Sequence, residues 1–176
     1  MTEQLIHYVD EMDSPLGRLT IVATDHGVCH IHFGELKTSI ATLNAWLKKH
    51  GRKGELTHCM ETIRPIREQL EDYFSGKRAT FDLPLDLCGT IFQKKVWNAL
   101  KNIGYGKTKS YKEIAQEIGA PKAVRAVGGA NNKNPIPIII PCHRVIGSNG
   151  NMVGYGGGLD KKEILLSLEG VIQKIS

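Results

Sequence analysis

The chain has 176 residues, of which 41% are hydrophobic and 23% are charged, and this composition is typical of a globular protein with one large or two small domains. No apolar run approaches the roughly 20 residues that a membrane helix needs, and the N-terminus lacks the basic and apolar regions of a signal peptide. We therefore expect a cytoplasmic protein without a membrane anchor, in which the four cysteines stay reduced.

The net charge of +5 is unevenly distributed along the chain. Residues 1–88 hold 10 Lys and Arg against 13 Asp and Glu, a net charge of −3, whereas residues 89–176 hold 13 against 5, a net charge of +8. The second part suits a polyanion, with nucleic acid as the first candidate, although a basic surface can also serve solubility alone. The change in charge near Pro84–Gly89 predicts two domains, 1–88 and 89–176.

The strands of the first domain are predicted from runs of β-forming residues. Gly17–Thr24 and Gly27–Phe33 meet at Asp25-His26 and predict a β-hairpin. Gly51–Thr57 is predicted to be a polar connection, and Ala79–Leu83 a short strand.

Two helices of the first domain follow from apolar residues at helical spacing. One is predicted over Thr38–His50, and the other over about Glu61–Phe74, with Gly76 ending it. The residues expected to face the core are Ile40, Leu43, Trp46 and Leu47 on the first helix, and Ile63, Ile66, Leu70 and Tyr73 on the second.

The second domain is predicted to be mostly helical. Its first helix presents Phe92, Val96 and Leu100 on one face and stops near Gly104. A capping box then predicts the start of a short helix at Ser110, because Glu113 stands three residues later. A further helix over Pro121–Asn131 would complete a helix-turn-helix, and an amphipathic helix over Lys161–Leu168 would follow near the end.

The helix predicted over Pro121–Asn131 has small side chains almost throughout. Adjacent Gly128 and Gly129 cost roughly 1 kcal/mol each relative to alanine inside a helix. Either close packing against another element or close approach of the backbone to a ligand such as DNA can offset that cost. Arg125 on this smooth helix can insert into a groove of nucleic acid, or it can be an ordinary surface charge.

Cys142 is the cysteine with the most suggestive neighbours, since His143 and Arg144 follow it. A thiol needs a nearby base or positive charge to become a nucleophilic thiolate. In a strand, however, neighbouring side chains point to opposite faces, so the two side chains can cooperate only through a bend or a bridging water. Cys59 and Cys88 are interpreted as structural or incidental. We predict no metal site, because His30 and His32 beside Cys29 lack a further set of ligands.

The run Pro141-Cys142-His143-Arg144-Val145, with its surroundings, closely resembles the O6-alkylguanine-DNA alkyltransferases. The supporting matches occur in the family's order, densely from about Phe92 onwards and thinly before it. They are Ser14–Gly17, Lys122–Ala130, Asn134-Pro135, Gly154–Gly158, Glu163 and Glu169-Gly170.

The resemblance implies an α+β fold, with an N-terminal domain like ribonuclease H (a small antiparallel sheet with helices, in a structural role) before a winged helix-turn-helix domain. It implies repair of double-stranded DNA by a base-flipping, single-turnover transferase. An alkyl group would pass irreversibly from O6-alkylguanine, and from O4-alkylthymine, to Cys142. The resemblance further implies a monomer that needs no cofactor.

The resemblance also implies roles for individual residues. Cys142 would accept the alkyl group, His143 would act as its base through a water, Glu169 would orient His143, and Asn134 would hold the turn of the active-site segment. Contacts with DNA would come from Tyr111, Arg125, Ala123, Ala126 and Gly128. The pocket for the flipped base would be lined by Pro137, Val145, Tyr155 and Gly156.

Two other classes of function remain to be weighed. An alkyltransferase-like protein binds lesions without transfer, but such proteins replace the acceptor cysteine, which is present here as Cys142. A Cys-His hydrolase of the thiol-protease kind would leave the basic helix-turn-helix without a purpose.

Overall fold

The computed structural model describes residues 5–52, 54–150, 155 and 157–172. The chain divides into two compact units, Met1–Cys88 and Gly89–Ser176. The first unit combines a sheet with helices and the second is mainly helical, which confirms the predicted α+β class. Within the described ranges, no helix is both long and apolar enough to span a membrane.

The first unit is built on a four-stranded sheet with the strand order β3-β2-β1-β4. Its strands are β1 (His7–Met12), β2 (Leu19–Thr24), β3 (Gly27–Phe33) and β4 (Leu56–His58). The predicted hairpin is present, because β2 and β3 pair antiparallel from Leu19↔Phe33 to Thr24↔Gly27. β4 pairs in parallel with β1, so the sheet is mixed, which corrects the small antiparallel sheet that the resemblance implied.

Two of these strands were missed because pairing, rather than local preference, forms them. β1 contains the charged residues Asp10 and Glu11, and β4 has only three residues, of which Leu56 and Thr57 lie inside the stretch predicted as a polar connection. The strand predicted over Ala79–Leu83 is absent. The chain reaches the sheet only afterwards, where Val28 N–H donates to Pro84 O at 3.0 Å and Leu85 forms a single bridge with Val28.

Two helices pack in the first unit, α1 (Leu36–Lys49) and α2 (Met60–Phe74). The inward face of α2 is the predicted one, with Ile63, Ile66, Leu70 and Tyr73 all buried. The prediction for α1 was wrong in part. Ser39, Leu43 and Leu47 form the buried row at a spacing of four residues, whereas Ile40 lies beside this row and is 45% exposed.

The second unit contains α3 (Ile91–Leu100), α4 (Tyr111–Glu117), α5 (Val124–Asn132) and α6 (Leu159–Leu168). α4 begins at the predicted capping box, in which Ser110 and Glu113 bond each other's backbone N–H groups. α5 begins at Val124 and not at Pro121, because the Ala123 N–H bonds to Ala120 O and keeps Pro121 in the turn. Of the predicted wing, the described residues contain only two short strands that pair in parallel, β5 (Lys109–Ser110) and β6 (Val145–Ile146).

α6 departs from the amphipathic pattern predicted for Lys161–Leu168. Leu159 at its start is 49% exposed, whereas Lys162 is completely buried with Leu165 and Leu166. A buried lysine on an apolar face needs a polar partner to offset the loss of its hydration. The partner of the Lys162 Nζ is the backbone oxygen of Val145, close to the cysteine segment.

Candidate active site in the second unit

The segment between α5 and Cys142 is shaped by the side chain of Asn134. Its Nδ2 donates to Ile140 O at 2.8 Å, and its Oδ1 accepts from the Ile136 N–H at 3.0 Å. Between these contacts, Ile138 has φ = 77°, a conformation that is strained for a β-branched residue. The two Asn134 hydrogen bonds close the loop around Ile138 and so stabilise the strained backbone.

Cys142 lies at the start of a single 3-10 turn, Cys142–Arg144, and not in a strand. The Arg144 N–H closes this turn by donating to Pro141 O at 3.0 Å, and the Cys142 N–H bonds to Ile140 O at 2.8 Å. All three side chains of the turn are buried, with Cys142 only 3% exposed. The alternating geometry that would separate Cys142 from His143 in a strand is therefore absent.

His143 forms a completely buried pair with Glu169, with its Nε2 at 2.7 Å from Glu169 Oε2. Burial lowers the pKa of His143, an effect that Glu169 opposes and that the charges of Arg144 and Lys162 reinforce. Because a carboxylate can only accept, the Nε2 carries the hydrogen of the neutral ring and the lone pair lies on Nδ1. The Nδ1 has no hydrogen-bond partner among the described residues. His143 thus has a basic nitrogen available within the protein interior.

The surroundings of the Cys142 thiol shift its pKa in opposite directions. Burial raises its pKa to about 11, while Asn134, the positive charge of Lys162 and Tyr155 act in the opposite direction. Burial also lowers the pKa of Lys162 to about 8. The resting group is consequently a protonated thiol surrounded by groups that can stabilise a thiolate once the proton leaves.

The helix-turn-helix presents its small residues outward. Arg125 and Ala126 on α5 are exposed, and Ala123 at its start is half-buried. Within the part of the chain that the structure describes, a Cβ on Gly129 would meet nothing within 4 Å, and one on Gly128 would lie 4.0 Å from the Tyr111 ring. Internal packing therefore does not require these glycines. Close packing against another element of the protein does not explain the small side chains of α5.

The residues predicted to line the pocket lie around the same turn. Pro137, Val145 and Tyr155 are buried, and Tyr111 at the start of α4 is half-buried. The Tyr111 side chain bonds to Asn131, and burial raises the pKa of Tyr111. Gly156, the remaining predicted pocket residue, lies outside the described residues.

Three polar residues of this site were missed by sequence reasoning, namely Lys162, Arg144 and Asn131. Arg144 is buried and bonds both oxygens of Glu169, and Asn131 donates to Cys142 O at 3.4 Å. Lys162 follows another lysine on a helix, so no local pattern marked it as buried. Arg144 was visible beside His143, but its partner Glu169 is 25 residues away.

The other cysteines lie in the first unit, in different surroundings. Cys29 is fully buried, and burial raises its pKa to about 12. Cys59 is the N-cap residue before α2, is partly exposed, and has a pKa lowered by a hydrogen bond with Thr62. A search of the described residues finds no group of three or more His, Cys, Asp or Glu side chains that could hold a metal ion.

The fold and the site define a class of protein: a helix-turn-helix unit that encloses a buried cysteine beside a His-Glu pair. Comparison with known families agrees. Residues 91–171 match the family model "6-O-methylguanine DNA methyltransferase, DNA binding domain", and residues 7–87 match the ribonuclease-like domain of the same family. The chain belongs to the 6-O-methylguanine DNA methyltransferase family, and the ribonuclease-like match confirms the predicted character of the first unit.

Individual relatives are similar over nearly the whole length. Those from Methanosarcina barkeri and Methanosarcina acetivorans, both named methylated-DNA–protein-cysteine methyltransferase, are 49% and 47% identical over 162 and 163 residues. The alignments cover 92% and 93% of this chain, and 96% and 98% of those proteins. Among solved structures, Mycobacterium tuberculosis OGT in complex with DNA has a TM-score of 0.79 and 42% identity over 92% of both chains.

Proposed function

We propose that this protein repairs alkylated DNA as a methylated-DNA–protein-cysteine S-methyltransferase that acts once. It takes an alkyl group from O6-alkylguanine, and from O4-alkylthymine, in double-stranded DNA onto Cys142. The observation that carries the proposal is the buried Cys142 turn beside the His143–Glu169 pair, in a chain of this family. Relatives with 45% identity or more over at least nine-tenths of this chain bear the name of that activity.

The transfer is a substitution at the alkyl carbon. The sulfur of Cys142 forms a new bond to that carbon, and the bond from the carbon to guanine O6 breaks with its electron pair going to the base. The thiol proton passes first to His143, which gives it up to solvent, and solvent supplies the proton that the released guanine anion gains at N1, so that the exchange balances. A thioether does not revert, and each chain therefore accepts one alkyl group.

His143 takes up the proton through its Nδ1, since the Nε2 hydrogen is engaged by Glu169. A water between the thiol and Nδ1 carries the proton in this proposal, because adjacent residues of a 3-10 turn need not touch. Lys162 and Asn134 then stabilise the sulfur while it is negatively charged, since both lower the pKa of the thiol.

The damaged base has to leave the helical stack before Cys142 can reach it. In this proposal α5 lies in the minor groove, where the smallness of Ala123, Ala126 and Gly128 lets its backbone approach the DNA. Arg125 fills the space left by the extruded base, and Tyr111 pushes on the target phosphate. The extrusion costs a few kcal/mol, and the inserted side chain offsets part of it.

The extruded base then enters a pocket that Pro137, Val145, Tyr155 and Gly156 line in this proposal. Tyr155 and the backbone of Val145 contact the base. In the free protein, Lys162 already occupies the Val145 carbonyl oxygen. A carbonyl oxygen has two lone pairs, so the same atom can accept a second hydrogen bond from the base.

The two units divide the work in this proposal. Residues 89–176, with their net charge of +8, bind DNA and carry out the transfer, while residues 1–88 have a structural role. The protein acts as a cytoplasmic monomer. The alternative of a lesion-binding protein without transfer is disfavoured by Cys142 itself, which that class replaces.

A stoichiometric transfer assay tests the proposal. The full chain is incubated with duplex DNA that bears radiolabelled O6-methylguanine, and the label bound to protein is counted against active chains. We expect the label to saturate near one methyl group per chain and to be absent from Cys142→Ser. Turnover beyond one, or transfer by Cys142→Ser, contradicts the proposal, and lesion binding without any transfer supports the alternative.

A further inference from the structure

Arg144 has an unusual position for a buried arginine, because it shares its carboxylate with the candidate base. Its Nε donates to Glu169 Oε1 at 2.8 Å and its Nη2 to Glu169 Oε2 at 2.9 Å. Its Nη1 donates to Ile103 O at 2.6 Å, and the Tyr105 ring lies 5.8 Å below the guanidinium. We call Arg144, Glu169 and the turn 103–106 the Arg144 clamp.

The clamp fills the hydrogen-bonding capacity of the carboxylate. Glu169 Oε1 accepts from Arg144 and from the Gly106 N–H at 3.2 Å, and Oε2 accepts from Arg144 and His143. The Glu169 side chain is completely buried and that of Arg144 is 7% exposed, so no solvent screens these contacts. A carboxylate with four donors and a cation beside it stays ionised and is a poor proton acceptor.

We propose that Arg144 is a positioning residue: by engaging both oxygens of Glu169, it lets Glu169 orient His143 without taking its proton, so that the proton of Cys142 stops on His143. This inference rests on the proposed function, in which His143 is the base. It adds to that function a role for the clamp, which is to keep His143 neutral and ready in the resting protein.

The charges around His143 explain the role. His143 faces Glu169, Arg144 and Lys162, and the two cations lower its pKa while Glu169 raises it. With Arg144 in place, the carboxylate is neutralised and the imidazole remains unprotonated. Without that charge, Glu169 would draw a proton onto His143 before any thiol reacts, and an imidazolium cannot act as a base.

The test compares Arg144→Met, which removes the charge, with Arg144→Lys, which keeps it, in the full chain. The measured quantity is the single-turnover rate with free O6-benzylguanine, which needs no DNA, from about pH 5 to about pH 9. The His143 ring is titrated in parallel by NMR. Arg64→Met is the matched control, because Arg64 is exposed on α2 in the other unit.

For Arg144→Met we expect the pKa of His143, and with it the acid limb of the rate profile, to rise by about one unit. The rate should fall severalfold at about pH 6, approach a loss of about tenfold at about pH 5, and recover toward the wild-type rate at about pH 9. Arg144→Lys should lose rate at every pH without a shift of the limb, and Arg64→Met should match the wild type.

A merely structural role predicts a loss for Arg144→Met that is the same at every pH, and that result overturns the inference. A shifted limb in Arg144→Lys also overturns it, which keeps the test decisive if Arg144→Met does not fold. If the wild type itself fails to transfer from O6-benzylguanine and from lesion DNA, the proposed function fails instead. The NMR titration of His143 still decides the inference in that case.

Discussion

Two regions of the second unit are built in opposite ways, the outer face of α5 and the Cys142 site. On α5, Arg125 is exposed and forms no ion pair with any described residue, and Gly129 has open space beside it. In the Cys142 site, by contrast, Glu169 is completely buried and saturated with donors. The first region faces solvent, whereas Glu169 in the second region has its hydrogen-bond partners within the protein. Recognition of DNA and chemistry at sulfur should therefore be separable by substitution.

Arg125→Ala is expected to give the largest difference between the rates with duplex DNA and with the free base. With lesion-bearing duplex DNA, the rate of repair should fall about a hundredfold, because in the proposed mechanism Arg125 fills the space that the extruded base leaves in the stack. With free O6-benzylguanine, which needs no extrusion, the rate should change far less. Single-turnover assays on both substrates check this, with Arg64→Ala as the control, because Arg64 is exposed on α2. Equal losses on the two substrates would contradict a role in extrusion.

Lys162→Met should affect both substrates alike, since Lys162 belongs to the interior. Its charge favours the thiolate of Cys142, and its loss should slow transfer about tenfold with duplex DNA and with the free base. Lys161→Met, one position away on the same helix, is the matched comparison. A loss restricted to duplex DNA would place Lys162 in recognition rather than chemistry.

The same lysine predicts a pH dependence of stability. The pKa of Lys162 is about 8 in the folded protein, against 10.5 for an unperturbed lysine. At Lys162 the unfolded chain thus binds more protons between these values, so the contribution of this residue to the free energy of unfolding should rise with pH across that window. The slope from Lys162 is at most about 1.4 kcal/mol per pH unit. Above about pH 9, Cys29 and Cys142 contribute in the opposite direction, because burial raises their pKa values. Urea unfolding of the wild type and of Lys162→Met at several pH values measures the contribution of Lys162 as the difference between the two slopes, and equal slopes would contradict it.

The smallest effect is expected for Gly129→Ala. This substitution should change the stability of the free protein and its affinity for DNA in opposite directions. Because a Cβ at this position meets no described atom within 4 Å, alanine should stabilise α5 by about 0.5–1 kcal/mol. If α5 approaches DNA closely, the same methyl group should weaken DNA binding severalfold. Thermal unfolding and DNA titration of one variant measure both. Unchanged DNA affinity would mean that the DNA does not come near Gly129.

The elements that the sequence predicted well are those with strong local patterns. The apolar face of α2 and the Ser110 capping box depend on residues three or four positions apart, and both are present as predicted. β1 and β4 depend on pairing between distant segments, and the start of α5 depends on a turn that excludes Pro121. Local patterns carry no information on such contacts.

In the site, too, features marked by motifs along the chain were predicted, and features that depend on distant contacts were not. Family resemblance located the Cys142 segment and Glu169, because motifs in order along the chain identify them. The burial of Lys162 and the double contact of Arg144 with Glu169 arise only when α6 packs against the 3-10 turn. Both residues are cations, and a cation in sequence indicates a solvent-exposed side chain by default.

The central claim is that position, not the intrinsic acidity of the thiol, selects the acceptor cysteine. Cys59 is the more exposed thiol and has a lowered pKa, whereas burial raises the pKa of Cys142 to about 11. Mass spectrometry of the protein after reaction with O6-methylguanine duplex DNA distinguishes the two directly. We predict a methyl group on Cys142 alone, and an unchanged rate in Cys59→Ser. A methyl group found on Cys59 would contradict the account. So would a Cys59→Ser variant that no longer accepts a methyl group although its Cys142 is intact.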